Sequence, residues 1–160
     1  MLQGSGQLQG SVIFTGANTL VSPGYSIGQL NVQGTYQQTG GNLALEIGRT
    51  AAGAGGTTRD VLTSTGALNL TGTALTFSLL AGSLPLQLGY AFTALTSTTN
   101  ALTLAGDSFT FDASLAAYTI SQTQTPGGYT LTIVPEPTTF AMLAASALGL
   151  SGVRRRKSSR

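Results

Sequence analysis

Two aspartates five positions apart, Asp107 and Asp112 in AGDSFTFDASL, form the closest acidic pair in a chain that holds only three Asp and two Glu. Carboxylate oxygens at such spacing suit a hard cation such as calcium, but calcium takes six to eight oxygens and no dense acidic loop supplies the rest. Solvated carboxylates at strand ends are the favoured reading of this pair. The chain has no His and no Cys, which removes the usual ligands of zinc, haem and most transition metals. Without His, its many Ser and Thr hydroxyls lack an evident base to activate them. Gly53–Gly56 in RTAAGAGGTTRD lacks the spacing, the terminal Lys-Ser/Thr pair and the following helix of a phosphate-binding loop, and reads as a turn. Arg49 and Arg59 stand ten residues apart with Asp60 beside the second, which is no basic stripe, so nucleic-acid binding is rejected. The expectation is a protein that is not an enzyme and carries no metal and no cofactor.

The most distinctive stretch of the chain is its C-terminal end. Val134, Pro135, Glu136 and Pro137 form a Val-Pro-Glu-Pro knot whose prolines hold the backbone extended. An apolar run of 14 residues follows: Phe140, Ala141, Met142, Leu143, Ala144, Ala145 and Ser146, then Ala147, Leu148, Gly149, Leu150, Ser151, Gly152 and Val153. Counted from Pro137 the segment is 17 residues long, the lower edge of what spans a bilayer as a helix. Arg154, Arg155, Arg156 and Lys157 come next, and with Arg160 they are five of the seven basic residues in the chain. Basic residues prefer the cytoplasmic side, which places everything before the run across the membrane. A buried core helix is the competing reading of the run, but it shows no polar stripe and follows a body with no other helical pattern.

Three unlike features in this order resemble the PEP-CTERM sorting signal of Gram-negative, often exopolysaccharide-producing bacteria. The resemblance implies recognition and cleavage near Pro-Glu-Pro by exosortase, an integral-membrane transpeptidase-like enzyme. It also implies release of the body to the outer membrane, cell surface or extracellular matrix, with exopolysaccharide as a possible partner there. Glu136 is then a recognition residue of a substrate.

The body that such a tail would carry has a net charge of −2 before Pro135, against +4 from Pro135 onward, so the whole-chain +2 does not describe a basic domain. Its apolar residues recur at every second place between glycines: Leu30 and Val32; Leu43, Leu45 and Ile47; Leu68 and Leu70; Leu75, Phe77 and Leu79; Leu131 and Ile133. Period two with one apolar face predicts strands, threonine suits the half-exposed positions between, and glycine supplies the turns. LNVQG, LNLTG and LTLAG are variants of one phrase, as stacked coils of a β-solenoid would give; a β-sandwich of hairpins is the alternative. Tyr25, Tyr36, Tyr90, Tyr118 and Tyr129 offer stacking faces for a saccharide, although scattered tyrosines on a β surface are more often ordinary cross-strand neighbours.

The stretch GANTLVSPGYSIGQLNVQGTYQQTGGNLALEIG resembles the repeat-and-closure region of autotransporter-type passenger proteins. Their phrase falls on Pro23, Gly24, Ser26, Gly28, Leu30, Val32 and Gly34, then on Gly40, Gly41, Leu43, Leu45 and Ile47. The stretch that follows it is matched by Asp60, Val61, Leu62, Thr63, Gly66, Leu68, Leu70, Gly72, Leu75 and Phe77. This implies a right-handed parallel β-helix.

The predicted organisation is therefore an all-β body over residues 1–134 and a sorting and anchoring segment over 135–160. MLQGSGQLQG has neither the basic nor the apolar region of a signal peptide. With the tail, this favours the C-terminal part of a longer exported passenger over a cytosolic protein. A non-enzymatic surface or matrix protein is the leading functional reading, and a secreted carbohydrate-binding or adhesive module the alternative.

Overall fold

A computed structural model of the chain describes residues 1–24, 26–50 and 57–136. Tyr25, the Gly53–Gly56 turn, Pro137, the apolar run Phe140–Val153 and the basic cluster Arg154–Lys157 lie outside the described residues. Among the described residues no helix is long and apolar enough to cross a membrane.

The body is all-β, with one 3-10 turn at Ala113–Leu115 among the described residues. Its strands are short and visit three sheets in rotation. The first circuit comprises β1 (Leu2–Gly4), β2 (Gly6–Gln9) and β3 (Val12–Thr15), and the second β4 (Leu20–Pro23), β5 (Gln29–Gln33) and β6 (Tyr36–Thr39). The third comprises β7 (Asn42–Arg49), β8 (Thr57–Arg59), β9 (Val61–Ser64) and β10 (Leu68–Thr71). The fourth comprises β11 (Ala74–Leu79), β12 (Ala91–Ser97) and β13 (Leu102–Ala105). β14 (Ser108–Phe111) opens a fifth, which the 3-10 turn interrupts; β15 (Thr119–Thr125) and β16 (Gly128–Val134) follow. One sheet runs β1-β4-β7-β11-β14, a second β2-β5-β9-β12 and a third β3-β6-β10-β13, with parallel pairing throughout. β8 folds back antiparallel on β7, pairing Arg59 with Ile47.

Parallel stacking in register places like residues in columns. Leu2, Val21, Leu43, Leu75 and Phe109 form one column, and Leu45, Phe77 and Phe111 the next on the same face. In the third sheet Val12, Tyr36, Leu68 and Leu102 align, beside Phe14, Gln38, Leu70 and Leu104. The alternating residues named from the sequence are buried, except that Leu79 is only half-buried. Each fully buried Leu, Ile or Phe removes a side chain from water for about 1.5–3 kcal/mol. Gln38 is buried as well, and satisfies its amide by accepting from the Tyr36 hydroxyl at 2.6 Å and donating to Gly40 O at 3.2 Å.

Glycine marks the corner between the second and third sheets because the next circuit occupies the space of a side chain. A Cβ at Gly34 would lie 2.7 Å from the Gly10 carbonyl carbon, and one at Gly66 2.9 Å from that of Gly34. Buried hydroxyls hold the same corner: Ser64 Oγ faces the carbonyls of Gly34, Gly66 and Ala67, and Ser97 Oγ donates to Gly66 O at 2.9 Å. The recurring phrase divides between two columns. LNLTG and LTLAG stack directly, Leu68 on Leu102, whereas LNVQG lies in the second sheet.

Aspartates clip circuits together. Asp60 is fully buried and accepts from the amides of Gly28 at 2.7 Å and Glu46 at 2.9 Å. Burial pushes its carboxyl up to about 7, although both amides favour the charged form. Asp107 accepts from Thr73 N and Ala105 N, and Asp112 caps the 3-10 turn through Ser114 N and also meets the Ser114 hydroxyl. The two aspartates weighed for calcium thus have separate backbone duties. Among the described residues no group of three or more acidic, His or Cys side chains converges as a metal site would require.

The winding stops at the C-terminal hairpin. β16 pairs antiparallel with β12, across a register shift between Thr93 and Leu95, and β15 pairs antiparallel with β16 at the edge. Tyr129 of β16 stacks on Phe109 at 5.0 Å and Phe77 at 6.1 Å, joining the hairpin to the aromatic end of the first-sheet columns.

Candidate sorting and processing site

β16 is a strand because Tyr129, Leu131 and Ile133 alternate inward with Thr130 and Thr132 between them. It ends at Val134, which pairs with Thr119 at the start of β15. Pro135 follows, and its ring removes the amide that a further ladder bond would need. The sheet therefore releases the chain at Val-Pro-Glu. Of the four residues expected to form the sorting motif, Val134 and Pro135 are half-buried and Glu136 is exposed. Pro137 and the later parts of the tail lie outside the described residues.

These three residues form one wall of a groove of about 490 Å³. The other walls are Leu86, Gln87 and Leu88 from the 80–90 connection, and Ala117, Tyr118 and Thr119 from the turn before β15. Among the described residues Glu136 is the only charged one lining it. The connection is held from both sides. Gly89 N donates to Ile133 O and Ile133 N to Tyr90 O, each at 2.9 Å, which ties it to the last turn of β16. Leu86 N donates to the Tyr118 hydroxyl at 3.2 Å. On the far side Leu84 N donates to Arg49 O at 2.8 Å, and the Arg49 guanidinium donates to Pro85 O at 3.1 Å and lies 5.6 Å from the Tyr90 ring centre.

These groove walls were hard to read from sequence, because SLPLQLGY sets Leu84, Leu86, Leu88 and Tyr90 at every second place as a strand would, yet forms a connection interrupted by Pro85 and Gly89. The available signal was chemical: no charged residue occurs between Asp60 and Asp107, nor between Asp112 and Glu136. Among the described residues the tyrosines present no exposed stacking platform for a saccharide. Tyr36, Tyr90 and Tyr129 belong to the buried core, and Tyr118 is half-buried with its hydroxyl engaged by Leu86.

Residues 134–157 match the family described as the PEP-CTERM protein-sorting motif. No curated protein matches the chain. The segment is therefore a sorting signal of the kind recognised by exosortase, a membrane processing enzyme, and it marks an exported protein processed at a membrane. The match starts at the residue where β16 ends.

Proposed function

We propose that this chain is a non-enzymatic surface or extracellular-matrix protein, built as a parallel β-solenoid and delivered by a removable C-terminal anchor. The coincidence at Val134 carries the reading: the last strand of the body ends where the sorting motif begins. A processing enzyme that cuts near Pro-Glu-Pro would then sever the tail without removing a ladder hydrogen bond from the body. Strand rotation through three parallel sheets, with like residues in columns, supports a solenoid over a sandwich. In this reading the apolar run Phe140–Val153 is a short membrane-spanning helix. Arg154–Lys157 hold its end in the cytoplasm, and the released body goes to the outer membrane, cell surface or matrix. Polar hydroxyl and amide faces with few charges are compatible with a passive, soluble cargo.

The test is expression of the complete reading frame in a host that carries the processing enzyme, followed by fractionation and intact-mass measurement. The expected product is a body truncated near Pro135 and recovered outside the inner membrane. An unprocessed full-length chain in the soluble cytoplasmic fraction would sink the proposal.

A further inference from the structure

Among the described residues four large apolar side chains are strongly exposed: Met1, Ile13, Leu84 at 41% and Leu88 at 63%. The first two lie in the first circuit, whereas Leu84 and Leu88 share the 80–90 connection, Leu88 in the groove wall beside the exit of the sorting motif and Leu84 four residues before it. We propose that this connection is a lipid-contacting surface: Leu84 and Leu88 dip into the membrane interface while the tail still anchors the chain. The inference rests on the reading of Phe140–Val153 as a membrane span.

Three observations lead to a lipid surface. The first is reach. Four Cα steps separate Glu136 from Phe140, so even a fully extended chain puts the groove within about 14 Å of the start of the apolar run. The second is chemistry. The 80–90 connection itself carries no charged residue, so Leu84 and Leu88 can enter an apolar layer while exposed Glu136 stays at the groove rim. Arg49, the basic group beside it, is buried with its guanidinium held by Pro85 O and the Tyr90 ring, which points to the apolar side of the interface, about 5–10 Å deep. The third is rigidity. The connection is pinned to Ile133, Tyr118 and Arg49, so Leu88 is exposed on a held backbone and costs little further ordering on contact. Tethering does the rest: a weak contact by two leucines is populated because the anchor keeps it at high effective concentration. The contact would orient the groove, with Val134 and Pro135 in its wall, towards the membrane plane where the processing enzyme resides.

The chain lacks cysteine, so a nitroxide can be placed at a single introduced thiol. Full-length Leu84→Cys, Leu88→Cys and Ile13→Cys chains are labelled, reconstituted into phosphatidylcholine vesicles and floated. Collision rates with oxygen and with an aqueous nickel chelate are then compared by power saturation. The expected result is flotation of all three, with oxygen access exceeding nickel access several-fold at positions 84 and 88 and the reverse at 13. Flotation with 84 and 88 as nickel-accessible as 13 overturns the lipid contact and leaves the anchor reading standing. Failure to float overturns the anchor reading and the contact with it. Labels that stay aqueous in vesicles and become immobilised only when the processing enzyme is co-reconstituted assign the surface to that enzyme and overturn the lipid proposal.

Discussion

Gly28 and Asp60 stand in successive circuits of the second sheet and are joined by a 2.7 Å hydrogen bond, the amide donating to Oδ1. The other carboxylate oxygen accepts from Glu46 N in the first sheet, so one buried side chain ties two circuits and two sheets. Burial raises this carboxyl from 3.8 to about 7, and burial raises Glu46 and Asp107 as well. A folded-state value above the unfolded one means the stability is full below the unfolded value and is lost as pH rises through the folded one. The urea midpoint is expected to fall between about pH 4 and about pH 8, with Asp60 responsible for the upper part of that window. Asp60→Asn should remove that upper part. It should also cost about 1–3 kcal/mol at pH 5, because the Asn NH2 faces a backbone donor that a carboxyl oxygen had satisfied. A midpoint independent of pH in the parent chain would contradict the assignment.

The stacked corner at Gly10, Gly34 and Gly66 makes a second prediction. At Gly34 a methyl group meets the preceding circuit's backbone and φ is +153°, whereas at Gly72 φ is +60° with nothing within 4 Å. Gly72→Ala should cost about 1–2 kcal/mol from left-handed strain alone. Gly34→Ala should cost more, at least about 3 kcal/mol, because rigid backbone must also move. Paired urea titrations measure the difference, and equal losses would show that the corner is looser than described.

The aromatic end of the core separates packing from hydrogen bonding. Tyr129→Phe loses the bond from the Tyr129 hydroxyl to Gln122 Oε1 and should cost about 0.5–1.5 kcal/mol. Tyr129→Ala also loses the stacking on Phe109 and Phe77, and should cost about 3–5 kcal/mol. Thermal unfolding of the two variants checks the order.

Glu136 is exposed at the rim of the groove, so Glu136→Ala should leave the urea midpoint within about 0.5 kcal/mol of the parent. In a host with the processing enzyme it should nevertheless remain full-length and membrane-bound. Intact mass distinguishes this from normal release.

Much of the body could be read from period and punctuation. Leu43, Leu45 and Ile47 on β7, and Leu75 and Phe77 on β11, alternate in sequence and are buried in the structure. β6 could not be read this way: YQQT has one apolar residue, and Gln38 enters the core only because Tyr36 and Gly40 satisfy its amide. β12 hides its period for another reason, since the shift between Thr93 and Leu95 buries Ala94 and Leu95 in succession. Asp60 looked like a neighbour of Arg59, because a buried clip depends on partners 32 and 14 residues away. The sorting motif was legible because its signals are local in sequence. The groove was not, because its walls come from three separate segments that only the hairpin brings together.

The hairpin also decides how the body responds to force. β16 is gripped by β12 on one side and β15 on the other, up to its end at Val134. A pull applied along β16 at Val134 therefore loads both ladders in shear, with their hydrogen bonds sharing the strain, and does not peel them apart one at a time. A body held by its last strand in this way resists force at that end without unravelling.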